Sequence, residues 1–150
     1  MQAIPMKRNL LICLGVILSS FSLHVIHADK EDILALEDQI KQGRYLAMGV
    51  AMCVDCHSPK LANGLLDPEQ ILMGTAITVA PLDPIPDWVG YAPAIAGLPA
   101  YTEEEIAEVL TTGMIGNTYL RPPMPVYRMS RADAEAIVAY LSSLAAPDEP

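Results

Sequence analysis

Aromatic residues are scarce in this chain. One Trp, one Phe and six Tyr among 150 residues leave any core with little aromatic content, and thirteen Pro with nine Gly imply many turns. Basic residues are few as well: nine Lys and Arg face eighteen Asp and Glu, a formal charge of −9. That excludes a nucleic-acid binder, which needs clustered cations to neutralise phosphates. Charged residues make up 18% against 52% apolar ones, so a disordered acidic tail is excluded too. Three Cys and three His promise no metal site until their positions are read. The length suits one domain.

The first 28 residues read as separate from the fold. Lys7 and Arg8 precede an apolar run from Leu10 to Ile26, softened by Ser19, Ser20, Ser22 and His24, and Ala28 offers a small residue before the charged Asp29–Asp32. This is the pattern of a secretory signal peptide. The run is also just long enough to serve as an uncleaved membrane anchor. The expected domain is then residues 29–150.

Removal of residues 1–28 concentrates the chemistry. Seven basic side chains remain against eighteen acidic ones, a charge of −11, and Cys13, His24 and His27 are lost. Every remaining Cys and His lies in one pentapeptide, Cys53-Val54-Asp55-Cys56-His57.

Four readings of that pentapeptide compete. A structural zinc site needs four ligands, and three are present. A thioredoxin-like pair follows a strand, whereas the flanking pattern here is helical. A disulfide across two residues closes a tiny loop and restrains little. Covalent haem attachment explains the spacing: two thiols reach two vinyl groups on one porphyrin edge, and the next residue places its imidazole under the iron. Export agrees with it. Haem c, with Cys53 and Cys56 as thioethers and His57 as proximal ligand, is the expected cofactor.

With no other His left, Met supplies the sixth ligand if there is one. Met48 and Met52 stand four apart before the motif and read as packing residues. Met124 is held in Arg121-Pro122-Pro123-Met124-Pro125, where three prolines fix φ and remove backbone donors. Such a strap is not helix and aims its one soft side chain. Met124 is the candidate distal ligand, against the alternative of a plain apolar loop residue; Met114 and Met129 stand behind it.

Three helices frame these motifs. Ile33, Leu36, Ile40, Gly43, Ala47 and Val50 recur at spacings of three and four, in a helix expected to run into Cys53. Gly43 within it costs helix propensity, which close approach of another helix would justify. Thr102-Glu103-Glu104-Glu105 is a capping box opening a second helix that Gly113 ends. A third starts at Ser130 with the stripe Ile137, Tyr140, Leu141 and Leu144, closed by Pro147. Residues 58–101 carry seven prolines and read as loop, with one short helix around Asp67–Met73. No alternating strand pattern or internal repeat is visible.

Gly43-Arg44-Tyr45-Leu46-Ala47 leading into the Cys53–His57 motif resembles the first helix and haem site of class I, single-haem c-type cytochromes. Leu120-Arg121-Pro122-Pro123-Met124-Pro125, Ser130 and Ala136-Ile137-Val138-Ala139-Tyr140-Leu141 resemble the methionine strap and last helix of that family. The resemblance covers residues 38–145 and is nearest to the small cytochromes or cytochrome domains associated with bacterial dehydrogenases. It implies an all-α class I cytochrome c fold: helices round one covalent haem, with the first and last helices crossing near Gly43, and a long Pro-rich loop. Residues 74–100 match no motif of it.

The function expected is one-electron transfer by a periplasmic or otherwise exported carrier, between a dehydrogenase or respiratory donor and a downstream acceptor. It is not expected to be an enzyme, since no nucleophile–base pair or carboxylate dyad stands out. The alternatives are a membrane-tethered oxidoreductase subunit, if the first segment is retained, and a five-coordinate haem sensor or enzyme. Trp88, Tyr91, Arg121 and Arg128 are candidate partners of the haem propionates. Arg121 comes first because it adjoins the strap; the alternative is that both arginines are surface charges. Acidic residues gather in Asp29–Asp38 and Glu103–Glu108, and the seven basic residues form no lysine ring. The expected redox partner therefore presents a basic or neutral surface, unless docking is through an apolar rim.

Overall fold

The structure, a computed structural model, describes residues 30–146. The segment 1–28, read above as a signal or anchor, and Pro147, read as a helix stop, lie outside the described residues. Residues 30–37 are helical, exposed and part of a first unit; from Asp38 the chain forms a second unit that holds the core.

Helix α1 covers residues 30–45 and passes into a π-helical turn, Leu46–Val50. Its expected stripe departs from the pattern at both ends. Ile33, Leu36 and Val50 are exposed, Ile40 is half-buried, and Gly43, Leu46 and Ala47 are buried. Periodicity reports a helix but not what covers it, and the widened π turn rotates Leu46 inward in place of Val50. The helix also stops short of Cys53. Met52 takes the left-handed conformation (φ 53°, ψ 38°), and Cys53–His57 forms a separate short helix, α2. A methionine there costs about 1–2 kcal/mol, and no Gly or Asn announces the turn.

Beyond α2 the chain makes turns rather than the helix expected at Asp67–Met73. Besides backbone bonds, two side chains hold these turns: Ser58 Oγ accepts from Leu72 N at 2.8 Å, and Asp67 Oδ1 accepts from Glu69 N at 3.0 Å. Leu72, left-handed at φ 60° and fully buried, is thereby drawn into the core. The Pro-rich region contains a small antiparallel ladder that the sequence pattern concealed, β1 Thr75–Ala76 with β2 Tyr91–Ala92. With two residues per strand, no alternation could develop.

Helix α3, Glu103–Thr112, opens on the expected capping box: Thr102 Oγ1 accepts from Glu105 N at 3.2 Å and Glu105 Oε2 accepts from Thr102 N at 2.8 Å. The Thr102 N–H and, at 2.9 Å, the Thr102 hydroxyl both donate to that carboxylate and hold Glu105 below its ordinary value. Gly113, at φ 77°, ends the helix. A tight hairpin follows, β3 Met114–Ile115 with β4 Thr118–Tyr119. Helix α4, Arg131–Ser142, starts on Ser130, whose Oγ accepts from Asp133 N at 3.1 Å. It packs on α3 and on the π turn. Arg131 donates twice to Glu104 and once to Glu135, but these groups are exposed and contribute little.

One core joins these pieces, built from small and aliphatic residues such as Ala47, Leu72, Ile106, Leu110, Ile137 and Leu141. Its tightest point is the crossing of α1 and α4. A Cβ added at Gly43 would lie 1.7 Å from the Ala136 carbonyl oxygen and 2.9 Å from Tyr140 Cβ. Gly43→Ala should therefore cost roughly 3 kcal/mol by forcing the helices apart. Gly49→Ala, with nothing within 4 Å, should instead add about 0.5–1 kcal/mol. Denaturant unfolding of the two variants measures both.

Candidate haem site

The break at Met52 turns α2 so that its side chains serve the interior. Cys53 and His57 are buried, Cys56 is exposed, and both cysteines are free thiols. Burial pushes the Cys53 thiol up to about 11, eased by a backbone hydrogen bond and reinforced by Cys56. Burial likewise holds His57 below the ordinary imidazole value, partly offset by its bond to Pro93. Its ring stays neutral, the form that ligates a metal.

The orientation of that ring comes from a residue that sequence reasoning missed. His57 Nδ1 lies 2.8 Å from the Pro93 carbonyl oxygen. A carbonyl can only accept, so Nδ1 carries the proton and Nε2 keeps its lone pair. Pro93 sits 36 residues from His57 in the chain and acts through its backbone, so no side-chain signal marks it. Gly74 makes the approach possible. Its N–H donates to the His57 carbonyl at 2.8 Å. At φ 81°, a Cβ there would fall 2.6 Å from Ala94 N and 2.9 Å from the Pro93 carbonyl carbon.

The methionine strap is secured at its flanks by backbone bonds. Leu120 N donates to Gly113 O at 3.0 Å, Val89 N to Pro122 O at 2.8 Å, and Met129 N to Leu110 O at 3.0 Å. Between them Met124 is half-buried.

Cys53, Cys56, His57 and Met124 all line one cavity of about 430 Å³. Its walls are mostly aliphatic, including Ile106, Val109 and Leu110 of α3, Ile137 and Leu141 of α4, and Ile77 and Val89 beside the β1–β2 ladder. Arg121 and Tyr91 also reach it, as do Tyr101 and Tyr119, which the sequence reading passed over. Arg121 is exposed and its Nε donates to the Asp87 carbonyl at 3.3 Å. Trp88 is half-buried and outside the lining, where its neighbour Val89 takes part; Arg128, Met114 and Met129 are outside it as well. Among the described residues no three His, Cys, Asp or Glu side chains converge as metal ligands.

These residues fit haem c. The site offers two free thiols, an imidazole with a free lone pair, a thioether and apolar walls for a flat macrocycle. The Cytochrome c family model matches residues 40–145, most of the chain. This protein belongs to the cytochrome c family. No individually curated protein matches it. It is a class I c-type cytochrome with the mostly helical fold expected, carrying one covalent haem c and serving electron transfer.

In this cytochrome Gly74 should matter more than another left-handed glycine. Gly64→Ala, at φ 83° in open space, should cost about 1 kcal/mol of backbone strain. Gly74→Ala should cost about 1–3 kcal/mol more, because its Cβ meets the backbone that carries the Pro93 carbonyl. Equal shifts of the two unfolding midpoints would refute this.

Proposed function

We propose that this cytochrome is an exported one-electron carrier in which Cys53 and Cys56 would hold the haem and His57 and Met124 would ligate its iron. Haem c supplies the iron couple that passes between ferrous and ferric. The single observation that supports the ligand set is the meeting of all four side chains on one apolar cavity. Pro93 aims the imidazole, and burial keeps it neutral. The Met124 thioether is soft and uncharged, which favours the ferrous state and raises the potential. Aliphatic walls keep water from the iron, and Arg121, at the cavity and exposed, is placed to meet a propionate.

Export rests on residues 1–28, which have the pattern of a cleaved signal, and on haem attachment outside the cytoplasm. The donor is a dehydrogenase or respiratory protein with a basic or neutral docking face, because the chain past residue 28 carries −11 and would repel an acidic one.

Haem should stay with the polypeptide through acid–acetone extraction, and Cys53→Ala with Cys56→Ala should release it. Free haem extracted from the unsubstituted protein would overturn covalent attachment at these cysteines. The ferric protein should show the weak near-infrared sulfur-to-iron band. Met124→Ala should lose that band and admit cyanide or carbon monoxide; a band retained in the variant would move the ligand to Met114 or Met129.

A further inference from the structure

The strap that carries Met124 has an unusual shortage of its own. Pro122, Pro123 and Pro125 have no N–H, and the Met124 N–H is used locally, donating to the Arg121 carbonyl at 3.3 Å. The strap therefore lacks the backbone donors by which a loop is ordinarily pinned. Among the described residues, one hydrogen bond ties residues 123–128 to a distant part of the chain. It runs from the Tyr127 hydroxyl to the Ala51 carbonyl, at 2.6 Å and across 76 residues.

The acceptor is as telling as the donor. The Ala51 carbonyl sits where α1 and its π turn end, directly before the left-handed Met52. In an uninterrupted helix that carbonyl would accept from Asp55 N; here Asp55 N donates to the Met52 carbonyl instead, at 3.1 Å. The break that turns Cys53 and His57 inward thus leaves a helix-end carbonyl over, and Tyr127 answers it. Burial pushes the Tyr127 phenol up, so its hydroxyl keeps its proton and remains a donor.

We propose that Tyr127 is a positioning residue for the distal ligand: its hydroxyl, donated to the Ala51 carbonyl, holds the Pro-clamped Met124 strap closed against the haem-attachment turn. The bond spans the two halves of the site, ending two residues before Cys53 and starting three after Met124. Loss of the hydroxyl leaves the strap attached at its flanks and more often open in the middle. This rests on the reading of Met124 as iron ligand.

Tyr127→Phe removes the hydroxyl and keeps the ring. With a net worth ordinary for a hydrogen bond, the open fraction of the strap should rise about 2- to 10-fold. Imidazole and cyanide enter ferric iron through that open state, so their binding rates should rise by the same factor in Tyr127→Phe. Tyr45→Phe, an exposed tyrosine away from the cavity, should match the unsubstituted protein. Exchange in the strap, read at the Met124 amide that donates to the Arg121 carbonyl, should quicken by a similar factor while exchange at Ile137 and Val138 in α4 stays unchanged. Unchanged entry and exchange in Tyr127→Phe would overturn the proposal, and so would equal acceleration of strap and α4 amides, since that marks general loosening. Absence of the sulfur-to-iron band from the unsubstituted protein would instead refute Met124 as ligand. In that case the strap amides alone decide on Tyr127: faster exchange confined to them supports its holding role, and any other result refutes it.

Discussion

The apolar cavity between α2, α3, α4 and the strap is the constraint on which the rest depends. Its walls are mostly aliphatic, and apolar side chains gather round a site only where an apolar partner covers them. The prosthetic group is therefore as much a part of the core as Ile137 or Leu141, and the helices are arranged to contact it as well as one another. This accounts for buried faces on α3 and α4 that point at the cavity and for a first helix that contributes mainly its close crossing at Gly43.

Placement of the candidate ligands follows from how the backbone ends its helices. The left-handed turn at Met52 aims α2 inward, and the glycine at 74 lets a distant carbonyl reach His57. Each piece that carries a candidate ligand is short and irregular, yet each is tied by a few well-placed bonds to a regular element. Rigid helices carry the packing, and the ligand segments borrow that rigidity at named points.

Much of this was legible in the sequence, and the rest had physical reasons for staying hidden. The haem motif, the capping box at Thr102, the Ser130 cap, the Gly113 stop and the need for a glycine at the helix crossing are local, and side chains announce them. The stop before Cys53 was not legible, because a methionine rather than a glycine takes the left-handed turn. The β1–β2 ladder was too short to show a period. Pro93 contributes a carbonyl, which every residue has. Tyr127 looked like one tyrosine among six, and its meaning depends on a carbonyl freed 76 residues away.

The Pro-rich excursion between the two short strands is anchored at both ends and loose at its tip. Its base is closed by Ile77 N donating to Gly90 O at 2.9 Å, Val89 N reaches the strap at Pro122, and Pro93 reaches His57. Its tip is open to solvent, with Leu82 fully exposed. Over evolutionary time such a segment has two rates of change. The tip, residues 79–86, is free to lengthen, shorten or change its chemistry without disturbing the site. The base is tied at once to the strap, through Val89 and Pro122, and to His57, through Pro93. Descendants of this chain can thus acquire new outer surfaces there while the backbone path through residues 77, 89 and 93 stays fixed.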